Sequence, residues 1–291
     1  MKKILITGSS GFIGQTILNC SQNKFELVCS HFDICNREEV RKELIDVYPD
    51  YIIHLAAQSN VRESIQNPIQ TANVNIIGTL NLLECCKELN IKKIVYASSL
   101  IKYGDYCGLV NEESVPHPIS PYGISKLAVE QFLEYYYNEY GICYLILCLG
   151  NVFGEYDQIK NNRIVTSIIH KIINNGILMI YGNGKQTRDF IYGEDLAHII
   201  LDNIDRDTKH KVYNISSGQY SILEIIRRVE AIAGNKVQVI FDNFVRGEMK
   251  NIQLDCSLAN KELIWRYHTD IDVALRKVYN HFLLTQQIQY D

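Results

Sequence analysis

The segment Pro121-Tyr-Gly-Ile-Ser-Lys126 sets a phenol and an ammonium, Tyr122 and Lys126, four residues apart, which on a helix is one face. A tyrosine hydroxyl with a pKa near ~10 is a poor base at neutral pH, but a neighbouring ammonium favours its phenolate. Such a pair can exchange a proton with a sugar hydroxyl or a carbonyl. Ser99 directly follows the run Ile94-Val-Tyr-Ala-Ser98, and its hydroxyl can hydrogen-bond the same reacting oxygen. At the N-terminus the apolar run Lys3–Thr7 enters Gly8-Ser-Ser-Gly11-Phe-Ile-Gly14, and a helical pattern starts there. Gly8 permits the tight turn, Gly11 lets a helix N-terminus approach a pyrophosphate, and Gly14 allows close helix-to-strand packing. This is the context that a dinucleotide-binding turn requires.

A NAD-preferring site usually carries Asp or Glu about 20 residues further on, at the end of the second strand. Ser30 and His31 stand there, and Asp33 follows on the adenine side of the pocket. The missing acid removes a repulsion against a 2′-phosphate, yet no Arg sits beside it to attract one. NAD and NADP both stay open.

These groups need a scaffold, and the chain supplies alternating strands and helices. Strands are predicted at 3–7, 26–30, 51–56, 93–97 and 143–149, with helices at 12–20, 38–47, 72–89 and 125–140. That alternation implies an α/β fold, a Rossmann-type doubly wound parallel sheet, which would put Ser99 at the carboxyl end of the sheet. After Gly150 the pattern loosens. Helices are expected at 164–174, 195–203, 222–233 and 271–284, strands at 178–181, 211–215 and 237–240, and a polar turn at 182–189. The reading is a dinucleotide-binding domain over 1–150 and a smaller C-terminal substrate-binding α/β region over 151–291, with return of about 185–215 to the first domain left open.

Composition narrows the class. Of 291 residues 47% are hydrophobic and 21% charged, which excludes a collagen-like or disordered chain. The net charge of -4 gives no overall basic field for nucleic acid or an anionic membrane. No apolar stretch approaches the ~20 residues of a membrane span, and no signal peptide is evident. Nine cysteines without a CxxC pair read as reduced thiols, which fits a cytoplasmic protein. His54, His117, His170 and His198 share no metal-ligand spacing, so no metal is expected.

Seven motifs, in order and spacing, resemble the extended short-chain dehydrogenase/reductase family, in its nucleotide-sugar epimerase and dehydratase branch. They are the glycine turn, HLAAQ at 54–58, VNIIGTLNLLE at 74–84, SSLIKYG at 98–104, SPYGISK at 120–126, GNVFG at 150–154 and QTRDFIYGEDLA at 186–197. The resemblance spans nearly the whole chain and implies Ser99, Tyr122 and Lys126 as the catalytic set. It also implies that Gly8, Ser10, Gly11, Phe12, Ile13, Gly14, Asp33, Ile34, Leu55, Ala56, Ala57, Asn75 and Lys126 line a dinucleotide. Asn151 and Arg188 are implied to hold the phosphates of a nucleotide sugar, with Arg246 as a second phosphate arginine and Tyr181 beside the base. A homodimer through the helices at 72–89 and 125–140 is implied as well.

In the family's 4,6-dehydratases a Thr-Asp-Glu run fills the places of Ser99, Leu100 and Ile101, so this chain lacks the acid and base that eliminate water. Two reactions at C4 of a nucleotide hexose stay in view. One is a 4-keto-6-deoxyhexose reductase, to which the missing ribose acid inclines the reading, with Tyr122 as proton donor. The alternative is a UDP-hexose 4-epimerase with retained NAD. A catalytically silent dinucleotide-binding protein is a third reading, against which the intact Ser99, Tyr122 and Lys126 argue.

Overall fold

The computed structural model describes residues 1–20, 24–104, 106, 108–208, 211–243 and 251–287. In chain order the strands are β1 (Lys2–Thr7), β2 (Phe25–Cys29), β3 (Tyr51–His54), β4 (Lys93–Ser99), β5 (Gly108–Val110), β6 (Cys143–Leu149), β7 (Asn151–Phe153), β8 (Ile177–Tyr181), β9 (Thr187–Tyr192), β10 (Val212–Ile215), β11 (Gly218–Ser221), β12 (Gln238–Asp242) and β13 (Ile252–Leu254). The α-helices are α1 (Phe12–Cys20), α2 (Arg37–Val47), α3 (Val61–Gln66), α4 (Pro68–Ala72), α5 (Gly78–Leu89), α6 (Pro121–Tyr140), α7 (Ile164–Ile173), α8 (Gly193–Asn203), α9 (Ile222–Ala233), α10 (Ser257–Glu262) and α11 (Ile271–Gln287).

Six strands form one parallel sheet in the order β10-β6-β4-β3-β1-β2. Both faces are buried, which explains why β1, β3, β4 and β6 read as continuous apolar runs rather than alternating ones. Alternate side chains still take opposite faces. Ile4, Ile6, Ile53, Val95, Leu145 and Leu147 pack with Ile17 of α1 and Leu196 and Ile200 of α8. Leu5, Ile52, Ile94, Tyr96 and Ile146 pack with Leu44 of α2, Leu82 of α5 and Leu133 of α6. Each fully buried Ile or Leu contributes about 1.5–3 kcal/mol of transfer free energy, so this two-sided core dominates the stability.

The chain goes from β1 to β2 on one side and then crosses back to β3 on the other side of β1. That reversal opens a crevice at the carboxyl ends of β1 and β3, the usual ligand position of an open α/β sheet. Val212–Ile215 pairs with β6 at the opposite edge of the same sheet. A further apolar cluster joins Phe153, Ile168, Ile180, Phe190, Ile226, Val229 and Leu275, from β7–β9, α7, α9 and α11. Among the described residues no helix is long and apolar enough to cross a membrane.

Two expected helices differ in detail. The single helix predicted over 72–89 is α4, a wide π turn at Asn73–Ile77, and then α5. The helix predicted from 125 starts at Pro121, because the Ser120 side chain accepts from Gly123 N (3.2 Å) and Pro121 fits the first helical position.

Candidate active site

Thr7 ends β1 buried, and the chain turns at Gly8 with φ 69°. A Cβ there would lie 2.8 Å from Ala56 N, so the left-handed turn and the close approach of Leu55-Ala56 both demand glycine. Gly14 is held as tightly: a Cβ would stand 2.6 Å from Ser9 Cα, which seats the first turn of α1 on the loop. The first N–H groups of a helix have no partner within it, so those of Phe12 and Ile13 open α1 toward the crevice. This cradle, held in shape by the close backbone approaches at Gly8 and Gly14, fits a dinucleotide pyrophosphate. The Phe12 ring is buried against Gly154 and Gly193, which leaves only its backbone for a ligand, while Ser10 and Gly11 are exposed and Ile13 is half-buried.

The second lip of the crevice is Leu55, Ala56 and Ala57, all half-buried. Behind it Thr7 Oγ1 accepts from the N–H groups of Leu55 and Ala56 (both 3.2 Å), so its own proton goes to His54 Nδ1 (2.7 Å). Thr79 Oγ1 donates to Asn75 O (2.6 Å) and therefore accepts from His54 Nε2 (2.8 Å). His54 is thus a neutral imidazole protonated at Nε2, and burial, with the Lys126 charge adding, holds its pKa down to about 3. Asn75, on the π turn, accepts from Gln58 N (2.8 Å) and donates to Ser125 Oγ (2.8 Å), joining the crevice to α6. Asp33 is exposed and caps its own loop through Cys35 N (2.9 Å), and the buried Ile34 packs under Gly78. A surface hollow lined by Asp33, Cys35, Asn67, Pro68, Asn73 and Val74 lies on that side. At the end of β2 the His31 N–H is held by Glu43 (3.0 Å).

Ser99, Tyr122 and Lys126 come together at the carboxyl end of β4. Gly123 makes this possible: a Cβ there would lie 2.8 Å from Ile101 O, so only glycine lets α6 approach the turn after Ser99 so closely. The Tyr122 N–H, orphaned in the first turn of α6, donates to Ser64 Oγ of α3 (3.2 Å). Lys126 Nζ donates to Ala97 O (2.7 Å) and lies 4.6 Å from the Tyr96 ring centre and 5.8 Å from that of Tyr122. Burial outweighs any pull of the ammonium on Tyr122. Burial pushes the Tyr122 hydroxyl up to about 12, against the hydrogen bond from Ser99 and the charge of Arg163. Burial also takes Lys126 down to about 7, opposed by Glu130. The same exclusion of water penalises both charged forms. Leu100 and Ile101 join an apolar cluster with Tyr103 and Val110, so no carboxyl stands where an eliminating acid or base is needed.

Asn151 follows Leu149, the β6 partner of Ser99, by two residues, and its amide donates to Asp189 O (3.1 Å) beside Arg188. Arg188, half-buried, turns one guanidinium nitrogen to its neighbour Thr187 O (2.8 Å). Tyr181 lies across the cleft, with the Arg62 guanidinium stacked 4.1 Å above its ring. Arg246 lies outside the described residues. Sequence reading passed over Arg163, which sits 5.2 Å from the Phe12 ring and faces Tyr122 electrostatically. It also passed over Glu130, which the i,i+4 spacing to Lys126 could have marked, and the role of His54, whose partners Thr7 and Thr79 come from distant segments. Cys20, Glu194 and His198 approach within 4.8 Å of one another, and Glu194 there already holds Lys277 (2.8 Å).

Residues 4–216 match the NAD dependent epimerase/dehydratase family. A putative UDP-glucose 4-epimerase of Methanocaldococcus jannaschii is 33% identical, covering 95% of this chain and 97% of its own length. The structure of a UDP-glucose 4-epimerase of Thermotoga maritima with UDP-glucose overlays with a TM-score of 0.93 at 26% identity, covering 98% of this chain and 99% of that one. A UDP-glucose 4-epimerase of Thermus thermophilus in complex with NAD gives 0.89 at 25% identity, covering 96% and 98%.

Proposed function

The chain belongs to the NAD dependent epimerase/dehydratase family, nucleotide-sugar enzymes of the extended short-chain dehydrogenase/reductases that work with a nicotinamide dinucleotide, and from there we propose that it is a UDP-hexose 4-epimerase with retained NAD. The observation that carries this reading is the near full-length match to a putative 4-epimerase, 33% identical over 97% of that protein. The bound dinucleotide supplies the hydride acceptor and donor. Everything else falls to the protein. Tyr122 takes the proton of the C4 hydroxyl and gives it back, with Ser99 hydrogen-bonded to the same oxygen. Lys126, fixed by Ala97 O, offsets the charge that appears on the phenol. Asn151 and Arg188 hold the diphosphate, for which the planar guanidinium fork is suited, and the Arg62–Tyr181 stack meets the base. The turn at Gly8–Gly14 and the lip at Leu55–Ala57 hold the cofactor.

A 4-keto-6-deoxyhexose nucleotide reductase is the second reading, favoured by one feature: no acid closes β2, and Ser30 and His31 stand where a retained NAD ribose is usually gripped. One experiment separates the two. The purified protein is denatured, the supernatant assayed for NAD(H) and NADP(H), and intact protein incubated with UDP-glucose without added cofactor. Near-stoichiometric NAD and appearance of UDP-galactose are expected. An empty protein that consumes NADPH or NADH only with a 4-keto-6-deoxy nucleotide sugar overturns the epimerase in favour of the reductase.

A further inference from the structure

Behind the Tyr122 and Lys126 pair lies a second charge pair that the reaction as described does not use. Glu130 is one helical turn beyond Lys126 on α6. The two residues clasp adjacent positions of β4: Lys126 Nζ donates to Ala97 O (2.7 Å), and Glu130 Oε1 accepts from the Ser98 hydroxyl. Both Glu130 oxygens also accept from Lys102 Nζ (3.0 and 2.8 Å), with the two side chains only 11% and 3% exposed. Lys102 and Ser98 flank the turn that carries Ser99. A buried ion pair is a poor stabiliser, because desolvation offsets much of its attraction, so its presence asks for another use.

We propose that Glu130, clamped from behind by Lys102 and Ser98, is a positioning residue of this site: its carboxylate is the counter-charge that keeps Lys126 an ammonium and so keeps Tyr122 able to exchange its proton. This rests on the C4 chemistry assigned to Tyr122 above. The other groups facing Lys126 are neutral: His54 on β3, the Tyr96 ring on β4 and Tyr122 on α6. Glu130 is faced by Lys102 and by the Tyr96, Tyr103, Tyr144 and Cys148 side chains, whose burial keeps them protonated. Among these groups Glu130 is the anion set against Lys126. Burial lowers Lys126 and Glu130 alone opposes it, in keeping with this geometry.

The test is a titration of Lys126 by carbon NMR in protein labelled at lysine Cε, the resonance assigned with Lys126→Met. Glu130→Gln keeps the shape and removes the charge. A nearby opposite charge typically moves a pKa by about 1–3 pH units, so the Lys126 midpoint is expected to fall by at least about one, and turnover near neutral pH with it. Glu130→Gln also strands Lys102, so the double variant Glu130→Gln/Lys102→Met serves as the control: it should recover thermal stability while the midpoint stays low. A double variant whose midpoint returns to the wild-type value, or a single variant whose midpoint does not move, overturns the proposal. Wild-type protein inactive on every nucleotide sugar would instead remove the epimerase reading, and the NMR result would stand by itself.

Discussion

Tyr122 and Lys126 share one dry enclosure, and the water kept out of it governs both. With the phenol at about 12 and the amine at about 7, proton traffic at neutral pH depends on a site in which Lys126 stays charged. In the proposed reaction Tyr122 accepts the C4 proton, so with Tyr122→Phe turnover should drop by about 10²–10⁴-fold, the usual share of general acid–base catalysis, while cofactor content is unchanged. Unaltered turnover would show that the proton goes elsewhere. His54 gives a prediction of another kind. Its folded pKa of about 3 lies below the unfolded value of 6.5, so the folded state binds fewer protons. Its contribution is therefore complete above pH 6.5 and is lost as the pH falls toward 3. At pH 5 the loss is about 2 kcal/mol, since each pH unit between the two pKa values costs ~1.36 kcal/mol. Denaturant unfolding between pH 8 and 5 checks this: wild type should lose stability more steeply than His54→Gln, and equal slopes would assign the acid sensitivity to other groups.

At the scale of the element, the glycine turn and the head of α6 are set by close approach, and single methyl groups test it. Gly14→Ala inserts a Cβ 2.6 Å from Ser9 Cα, backbone that cannot swing aside. The expected cost is about 1–3 kcal/mol of overpacking, with the dinucleotide that the proposed reaction retains lost from the purified protein because the turn must open to admit the methyl. A Gly14→Ala protein that melts like wild type and carries its full NAD would show that the turn is slack. This turn was legible in the sequence because strand, glycines and helix are contiguous. The same holds for the five predicted strands up to residue 149, whose apolar runs are long enough to read. The start of α6 was misplaced by four residues although Ser120 and Pro121 announce it. The π turn at 73–77 was invisible, since its wide i→i+5 bonds leave no period of their own in the sequence. Short strands such as β5 and β13 pair residues 108–110 with 252–254, and nothing local encodes a contact that distant. His54 went unread for the same reason, its partners Thr7 and Thr79 being brought together by the sheet, and Glu130, although one turn from Lys126, meets Ser98 and Lys102 only in the fold.

At the scale of the whole molecule, one face lacks a covering layer among the described residues. Helix α6 packs on β4 and β6 with α5 and α4 against it, and Ile69, Ile77 of the π turn, Ile124, Tyr135 and Tyr140 are exposed on these elements, Ile69 76% exposed. On α6, Ile124 and Tyr135 are eleven residues apart, three helical turns, so they share a stripe. Scattered apolar residues need no explanation, but a stripe continued across neighbouring helices suits a self-complementary contact with a second copy related by a two-fold axis. We expect a homodimer through this face, as the resemblance of the motifs implies. Light scattering at micromolar concentration should give the mass of two chains, and Ile124→Lys should give one, since burying an unpaired ammonium twice in a symmetric contact costs more than the contact returns. The same α6 carries Tyr122 and Lys126 on its inner face. Separation of the copies should therefore weaken the fit of α6 against β4 and lower turnover, with no change in the residues of the site. Wild-type protein that is monomeric yet fully active would show that the sheet alone holds α6 in place.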